Sequence, residues 1–377
     1  MELFLAMNLS YWEHKTWFKD IDFTIIGSGI VGLNCALALR DKYPKSKILI
    51  LEKGILPSGA STKNAGFACY GSLSEILKDL EHQKEEEVFA LVKKRVEGIQ
   101  FLRNSLGDKA IDYQQYGGYE LFTENNGEFS EACFSNRIKI NAFLKPIFKK
   151  DTFTVVENPF HFKKIDNHLL FCPFEGQIDT GKMMHALLKK ANKKNIFILN
   201  NTTLTKYSDN KNEVSLLLND QFEMKTKKLF IATNGFARQL FKEDVQPARA
   251  QVLITKPIKN LKIKGTFHID EGFYYFRNID DRILFGGGRN LDFNTENTTE
   301  LGLTNLIQQK LETLLKDSIL PEIPFEIEHR WSGIMGIGNT KIPIVKPLSE
   351  NVYCGVRLGG MGVAIGSVVG VELSNLA

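Results

Sequence analysis

Residues 22–52 read DFTIIGSGIVGLNCALALRDKYPKSKILILE, and this stretch decides the fold. The apolar run Phe23–Ile26 predicts a buried strand, and the glycine-rich turn Gly27–Gly32 follows it directly. An amphipathic helix comes next, and a second apolar strand at residues 48–51 ends on Glu52. Strand, turn, helix and strand in this order predict a βαβ unit with a parallel sheet.

The glycines of the turn occupy the positions that a dinucleotide requires. Gly27 allows a tight turn off the strand, Gly29 lets a pyrophosphate approach the backbone, and Gly32 lets the helix pack closely on the sheet. The N-terminus of the helix offers free N–H groups and a partial positive charge to the phosphates. Glu52, twenty residues beyond Gly32, is suited to bind ribose hydroxyls and argues against a 2′-phosphate, and hence against NADP. The motif alone leaves FAD, NAD and a plain βαβ unit open.

The composition is that of an ordinary globular protein and argues against several functions. A chain of 377 residues with 43% hydrophobic and 24% charged residues is long enough for two domains or one large domain. The net charge is +4, but the lysines are spread along the chain, and pairs such as Lys189–Lys190 indicate solvated helix faces. We therefore predict no nucleic-acid partner.

The cysteines and the apolar segments predict a cellular setting. The five cysteines are scattered and without metal-ligand spacing, which predicts reduced thiols, no metal site and a cytoplasmic location. The apolar run Leu358–Val371 has fourteen residues and many glycines, too short for a membrane span. The segment Met1–Met7 is apolar but lacks a following cleavage site, so we expect no secretion signal. Either Met1 or Met7 is the expected start.

Further elements follow along the chain. Apolar residues at helical spacing predict a helix over 74–106, whereas the aromatic segment 110–170 is typical of strands. Later elements are predicted as a helix at Lys182–Asn192, parallel strands at 196–199 and 228–233, a hairpin at 213–224, strands within 251–288, a helix at 300–316 and a last helix from about Ala364.

This order predicts an α/β fold in which a Rossmann-like nucleotide-binding domain is interleaved with an antiparallel-sheet substrate domain. We assign residues 1–109, 171–244 and 326–377 to the nucleotide-binding domain. Residues 110–170 and 245–325 then form the substrate domain. Ligands are expected between the two, where small-molecule sites commonly lie.

Four blocks of sequence carry a resemblance to a known family. They are GSGIVG with Glu52, the loop Gly59–Phe67, the strand end Ile231–Gly235, and the glycine loop Gly355–Gly362. Together they resemble the D-amino-acid-oxidase/glycine-oxidase superfamily of FAD enzymes, and most closely its bacterial amine oxidases of the gamma-glutamylputrescine-oxidase type. The second and fourth blocks favour FAD over NAD.

The resemblance implies where the cofactor binds. The implied FAD-binding residues are Gly27, Gly29, Ile30, Val31, Gly32, Glu52, Lys53, Ser61, Thr62, Asn64, Ala65, Gly66, Phe67, Leu204, Thr233, Asn234, Gly235, Arg357, Gly359, Gly360, Met361 and Gly362. Some relatives hold FAD covalently through a His or a Cys. This chain has Lys63 at the His position and no cysteine between Cys172 and Cys354, so we expect non-covalent FAD.

The resemblance also implies residues for the substrate. Tyr274 matches an active-site tyrosine of the family, although it is equally expected as a half-buried strand residue. Arg277 would meet an acidic substrate tail, unless it is a surface arginine. Met335 stands where glycine oxidases have a carboxylate-binding arginine after Trp-x-Gly. Apolar Leu284 or Phe285 stands where sarcosine oxidases have an oxygen-activating lysine, which leaves oxidase and dehydrogenase open.

The function that follows is FAD-dependent oxidation of a C–N bond in a small amine or amino acid. Hydride transfer to the flavin N5 would give an imine that hydrolyses, with oxygen or another acceptor reoxidising the flavin. The alternatives are a catalytically inactive flavin-binding interaction protein, or a tRNA side-chain oxidase of the same superfamily. The latter usually carries a basic partner domain, for which this chain has no room. Substrate, acceptor and oligomeric state stay open.

Overall fold

The computed structural model describes residues 9–124 and 126–377. The alternative starts at Met1 and Met7 lie outside these residues. No helix among the described residues is long and apolar enough to cross a membrane.

In chain order, the strands are β1 Ile21–Ile26, β2 Ile48–Leu51, β3 Phe67–Ala68, β4 Gly118–Leu121, β5 Thr154–Glu157, β6 His168–Cys172, β7 Gly176–Gln177, β8 Phe197–Leu199, β9 Leu204–Asp209, β10 Val214–Leu218, β11 Phe222–Ile231, β12 Gln246–Thr255, β13 Thr266–Ile269, β14 Tyr274–Ile279, β15 Arg282–Gly287, β16 Ile327–Ile337, β17 Ile344–Pro347 and β18 Val352–Val356.

The α-helices are α1 Tyr11–Glu13, α2 Ile30–Lys42, α3 Ala60–Lys63, α4 Leu73–His82, α5 Glu85–Leu106, α6 Asp108–Ile111, α7 Gly127–Phe148, α8 Thr180–Lys193, α9 Phe293–Glu296, α10 Asn305–Leu314 and α11 Gly362–Ser374. Short 3-10 helices span Asn234–Gln239 and Arg289–Leu291, and π-helical turns span His14–Phe18 and Leu315–Ile319.

The first sheet contains the βαβ unit. Its central strand β1 pairs in parallel with β2 on one side and with β11 on the other, and β11 pairs in parallel with β18. The full order is β17-β18-β11-β1-β2-β8, and β9 and β10 extend β11 as a hairpin. All four residues of β2 and nearly all of β1 are buried, because helices cover a parallel sheet on its faces. The predicted Rossmann-like arrangement is confirmed.

The second sheet has the order β16-β12-β15-β14-β13-β4-β6-β5. Its strand pairs are antiparallel except for β13 with β4, which run parallel. Its own apolar core contains Phe267, Phe276 and Phe285. A parallel Rossmann-like sheet beside a largely antiparallel one confirms the predicted fold class.

One strand lies in a different sheet from the one that the sequence suggested. The predicted nucleotide-binding part included residues 326–337, but β16 pairs along its length with β12 of the second sheet. β16 contains exposed, half-buried and buried residues, whereas β18 is buried throughout, as in a parallel sheet. The division into two domains otherwise stays a prediction.

The segment 110–170 is not strand throughout, and here the sequence interpretation was wrong. Residues 127–148 form the long helix α7, whose buried positions Ser130, Cys133, Ile140 and Leu144 recur at helical spacing. The many phenylalanines of this segment favour a strand by composition, but they flank the helical stripe and pack against the first core. The predicted helices at 74–106 and 300–316 are confirmed in part, as α4 with α5 and as α10.

Candidate active site

A cavity of about 650 Å³ is lined by residues of both sheets. The first sheet contributes the carboxyl ends of β1 and β2 and the turn that follows each strand. The second sheet contributes residues of β12, β14 and β16. The loop before β3 and the loop between β18 and α11 line the cavity as well. A ligand in this cavity would therefore contact both sheets.

The glycine turn after β1 has the geometry that its sequence predicts. Gly27 has φ +99°, and a Cβ there would lie 3.0 Å from the Ala232 carbonyl oxygen. A Cβ on Gly32 would overlap the carbonyl oxygen of Gly27, so helix α2 packs directly on the turn. A Cβ on Gly29 would meet only the Ser61 side chain, with Oγ at 2.8 Å. The start of α2 therefore faces the cavity, where a phosphate can approach it.

The Glu52 carboxylate is fixed in the cavity wall. Its Oε2 accepts hydrogen bonds from the backbone N–H and the hydroxyl of Ser28, at 3.1 and 2.8 Å. Its Oε1 accepts from the Gly54 N–H at 3.0 Å and the Ser58 hydroxyl at 2.9 Å. The neighbouring Lys53 ammonium lies 3.3 Å from the centre of the Phe236 ring. Burial lowers the pKa of Lys53, and the Glu52 charge opposes this shift.

The loop before β3 is held in place by polar contacts. The Asn64 Oδ1 accepts hydrogen bonds from the Gly66 N–H at 2.8 Å and the Thr180 hydroxyl at 2.9 Å. Gly66 has φ +76°, and a Cβ there would overlap the Ile178 carbonyl oxygen. The loop therefore presents its backbone and Phe67 to the cavity in one conformation.

The C-terminal glycine loop meets two other blocks of the sequence. Asn234 Oδ1 accepts hydrogen bonds from the backbone N–H groups of Arg357 and Leu358, at 3.0 and 3.2 Å. Gly359 and Gly360 follow with φ +57° and +81°, and successive glycines of this kind expose N–H groups as an anion-binding concavity. A Cβ on Gly360 would lie 3.4 Å from the Met335 sulfur. The ends of β11 and β16 thus meet this loop at the cavity.

Most of the predicted cofactor residues line the cavity. Those with atoms in its wall are Gly27, Gly29, Ile30, Val31, Glu52, Lys53, Ser61, Asn64, Ala65, Gly66, Phe67, Leu204, Thr233, Asn234, Gly359, Gly360, Met361 and Gly362. The others support the wall from behind. Gly235 lets the backbone of Met335 approach, and the Thr62 hydroxyl donates to the Pro57 carbonyl at 2.7 Å. The Arg357 guanidinium pairs with Asp244 at 2.6 Å outside the cavity.

Two of the three predicted substrate residues lie outside the cavity. Met335 is in its wall, but Tyr274 is buried in the core of the second sheet. Because side chains alternate between the two faces of a strand, the next residue of β14, Tyr275, faces the cavity instead. Arg277 is 2% exposed beneath the Gly66 loop, whose carbonyl accepts a 3.4 Å hydrogen bond from its Nη1. Burial lowers the pKa of Arg277 to about 10. A role of Arg277 toward a substrate tail stays a prediction.

A buried ion pair on the second sheet was not predicted from the sequence. His268 lines the cavity, and its Nε2 lies 3.1 Å from Oε2 of buried Glu175. The same Oε2 accepts a 2.8 Å hydrogen bond from the Thr266 hydroxyl. Burial opposes the charged imidazole, but the Glu175 carboxylate together with the Glu75 and Glu120 charges outweighs it and raises the pKa of His268 to about 9. The His268 ring therefore carries a positive charge at neutral pH.

Cys69 is the third member of this cluster. Its sulfur, the Glu175 carboxylate and the His268 ring have donor atoms within 4.8 Å of one another. Burial, with the Glu175 and Glu75 charges, raises the pKa of Cys69, so it is a thiol at neutral pH. The cluster joins three distant segments and therefore has no local spacing by which the sequence could reveal it. Arg289 and Lys341 in the cavity wall were missed for the same reason.

The His268 charge predicts a pH dependence of stability. Because the folded pKa of about 9 exceeds the ordinary 6.5, the ion pair stabilises the fold fully below pH 6.5 and is lost as the pH rises through 9. Between pH 7 and 10 the free energy of unfolding should fall by about 1–3 kcal/mol more in the wild type than in His268→Gln. Urea unfolding at both values measures this, with exposed His185→Gln as control. Equal pH dependence in wild type and His268→Gln would contradict the assignment.

A parallel sheet with a glycine turn, a carboxylate at the end of β2 and a second glycine loop around one cavity is typical of dinucleotide-binding oxidoreductases. Over residues 22–376 the sequence matches the FAD dependent oxidoreductase family, DAO. The chain therefore belongs to this family, and the family implies an FAD cofactor. The sequence matches no curated protein.

Solved structures with the same fold cover nearly the whole chain. L-proline dehydrogenase from P. horikoshii is 18% identical with a TM-score of 0.74, over 95% of this chain and 93% of that one. Glycine oxidase from Geobacillus kaustophilus is 16% identical with a TM-score of 0.73, over 94% of each chain. Iminodiacetate oxidase from Chelativorans sp. BNC1 is also 16% identical, with a TM-score of 0.72 and 94% of each chain covered. At these identities the likeness establishes the fold alone.

Proposed function

We propose that this protein oxidises the C–N bond of a small amine with non-covalently bound FAD. The observation that carries the proposal is the shared cavity. The glycine turn after β1 and the C-terminal glycine loop open into the same space as Tyr275 and Met335 of the second sheet. A dinucleotide held by the glycines would leave its reactive end facing the second sheet. The narrower likeness to gamma-glutamylputrescine-oxidase-type enzymes is part of this proposal.

The residues of the cavity fit FAD. Gly29 carries no side chain at the start of α2, so the pyrophosphate would bind there, beside the Ser61 hydroxyl that accepts a 2.9 Å hydrogen bond from the Ile30 N–H. Glu52 would accept from the ribose hydroxyls. The left-handed Gly359 and Gly360 would direct N–H donors at the flavin ring. When bound, FAD supplies an acceptor for the hydride from the carbon next to nitrogen. These donors would stabilise negative charge that develops beside them.

The second sheet supplies an apolar wall for the substrate. Met335, Val252 and the rings of Phe67 and Tyr275 line this part of the cavity, and Phe67 packs edge-to-face on both Tyr275 and His268. An apolar wall favours the neutral amine over the ammonium, since a charged group without a partner is costly to bury. The neutral amine has the free electron pair that C–N oxidation requires. The imine product would hydrolyse to a carbonyl compound.

We expect denaturation of the protein to release FAD in intact form. This expectation rests on Lys63, which lies in the cavity wall beside Gly333. Some relatives have a His at this position that is covalently linked to the flavin. The purified protein is expected to be yellow, and acid or heat should transfer all the flavin to the supernatant. Absorption spectra of pellet and supernatant measure this. Flavin that stays with the precipitated chain would overturn the non-covalent assignment.

Anaerobic bleaching of the flavin by a panel of amines tests the activity itself. Loss of flavin absorbance with any small amine supports the proposal, and it does so whichever acceptor the enzyme uses. A yellow protein that no amine bleaches would favour the inactive flavin-binding alternative. Bleaching only with modified tRNA would favour the tRNA side-chain oxidase.

A further inference from the structure

Arg289 is a cavity arginine without a partner. It lies two residues beyond the end of β15, is half-buried and lines the cavity together with Phe273. Within residues 9–124 and 126–377 its guanidinium makes no hydrogen bond and no ion pair. Its one specific contact among these residues is with the Phe293 ring, at 4.6 Å from the ring centre. The donors of the guanidinium are therefore free for a ligand.

Two other cations of the cavity wall are neutralised by carboxylates of the fold. The Lys341 ammonium lies 2.8 Å from the Asp79 carboxylate, and His268 pairs with Glu175. Burial lowers the pKa of Arg289, and distant Glu296 opposes this shift only in part. Glu296 is itself held by two 2.9 Å hydrogen bonds from the Arg249 guanidinium. A partly desolvated guanidinium without an anion is costly, unless an anion binds there.

We propose that Arg289 binds a carboxylate at the end of the amine substrate that is remote from the reacting carbon. The inference rests on the proposed amine oxidation and names the substrate class. A planar guanidinium donates two parallel hydrogen bonds to a carboxylate, which gives strong and directional binding. Arg289 takes the role that the sequence suggested for Arg277, which lies buried beneath the Gly66 loop.

The register of the second sheet indicates how long the substrate is. Gly287, Gln251 and Ser332 are paired across β15, β12 and β16. Adjacent strands lie about 4.8 Å apart, so the outer two strands of this set are about 10 Å apart. Arg289 continues from β15, whereas Met335 lies on β16 against Gly360 of the flavin-side loop. A substrate whose carboxylate binds Arg289 and whose nitrogen lies near Met335 therefore has several bonds between these two groups.

A matched pair of amines tests the proposal. Kinetics of anaerobic flavin reduction are measured with 5-aminopentanoate and with n-pentylamine, which lacks the carboxylate. In Arg289→Gln the apparent Kd of 5-aminopentanoate, taken from the concentration dependence of the reduction rate, should rise at least about tenfold with the limiting rate little changed. The apparent Kd of n-pentylamine should stay within about twofold. Arg289→Lys should be intermediate, because an ammonium keeps the charge and loses the fork. Arg282→Gln, which removes an arginine of β15 paired with Glu328 outside the cavity, is the control.

Binding of pentanoate provides a readout that needs no turnover. Pentanoate should perturb the flavin spectrum and raise the Tm of the wild type, and Arg289→Gln should lose both effects while Arg282→Gln keeps them. If neither amine reduces the flavin, these two amines are not substrates, yet loss of pentanoate binding in Arg289→Gln still supports the carboxylate site. Unchanged pentanoate binding and an unchanged apparent Kd of 5-aminopentanoate in Arg289→Gln would overturn the proposal.

Discussion

Replacing Gly29 by Val is expected to give a folded protein without FAD. The Gly29 backbone is extended, with φ −75° and ψ −176°, a conformation that valine adopts without strain. A Cβ there would meet only the Ser61 side chain, whose rotation would break one 2.9 Å hydrogen bond from the Ile30 N–H and leave the fold intact. The branched side chain would instead fill the space in front of α2 that the pyrophosphate needs. We expect FAD affinity to fall more than about 100-fold, or about 3 kcal/mol.

The measurement is flavin absorbance per mole of purified chain, together with circular dichroism to show that the fold is intact. Gly127→Val is the matched control, because Gly127 starts α7 and a Cβ there meets nothing within 4 Å. The control should keep its full FAD content. A folded Gly29→Val protein that carries as much FAD as the control would refute the assignment of the glycine turn to the pyrophosphate.

Local signals in the sequence predicted the first sheet well. The strand at 23–26, the glycine turn and Glu52 lie where expected, because each follows from contacts within one βαβ unit. Gly32 is an example. A Cβ on Gly32 would overlap the carbonyl oxygen of Gly27, which is only five residues earlier in the chain, so the need for glycine is visible in the local sequence. Asp179 caps α8 through a 2.8 Å hydrogen bond from the Lys182 N–H.

The errors came where tertiary packing decides between two local structures. Phenylalanine is common in strands, so the aromatic composition of residues 127–148 was a poor guide until the buried positions showed a helical period. Tyr274 and Tyr275 are adjacent in one strand, so their side chains point to opposite faces of the sheet. Tyr274 lies in the core and Tyr275 lines the cavity. Only the pairing of β14 with its neighbours determines which tyrosine faces the ligand.

The charged groups of the site were the hardest to predict. His268 and Glu175 are 93 residues apart and meet through the pairing of the second sheet and the turn before β7. Arg289 follows three glycines, which by themselves indicate only a turn. Arg289 is of interest because no carboxylate of the described residues forms an ion pair with it. Such information exists only once the chain is folded.

Simple α-amino acids are expected to be poor substrates compared with amines that have no carboxylate on the reacting carbon. The resemblance to glycine oxidases predicts that Met335 stands where they have a carboxylate-binding arginine. Met335 lies against Gly360 in the cavity wall. A thioether cannot replace a guanidinium as a carboxylate partner, and Arg277 and Arg357 lie outside the cavity. The carboxylate of sarcosine, glycine or D-alanine would therefore be buried near Met335 without a matching guanidinium, which is costly.

Rates of anaerobic flavin reduction, which do not depend on the acceptor, measure the preference. At equal concentrations sarcosine should reduce the flavin about 100-fold more slowly than N-methylbutylamine, a difference of about 2.7 kcal/mol in transition-state stabilisation. Met335→Arg should narrow this gap by restoring a guanidinium, whereas Met335→Leu, an apolar control of similar volume, should leave it unchanged. If sarcosine, glycine or D-alanine instead reduces the wild type faster than every carboxylate-free amine, the inference from Met335 is wrong. The Lys63 ammonium, which lines the cavity beside Gly333, would then be the cation that holds the carboxylate.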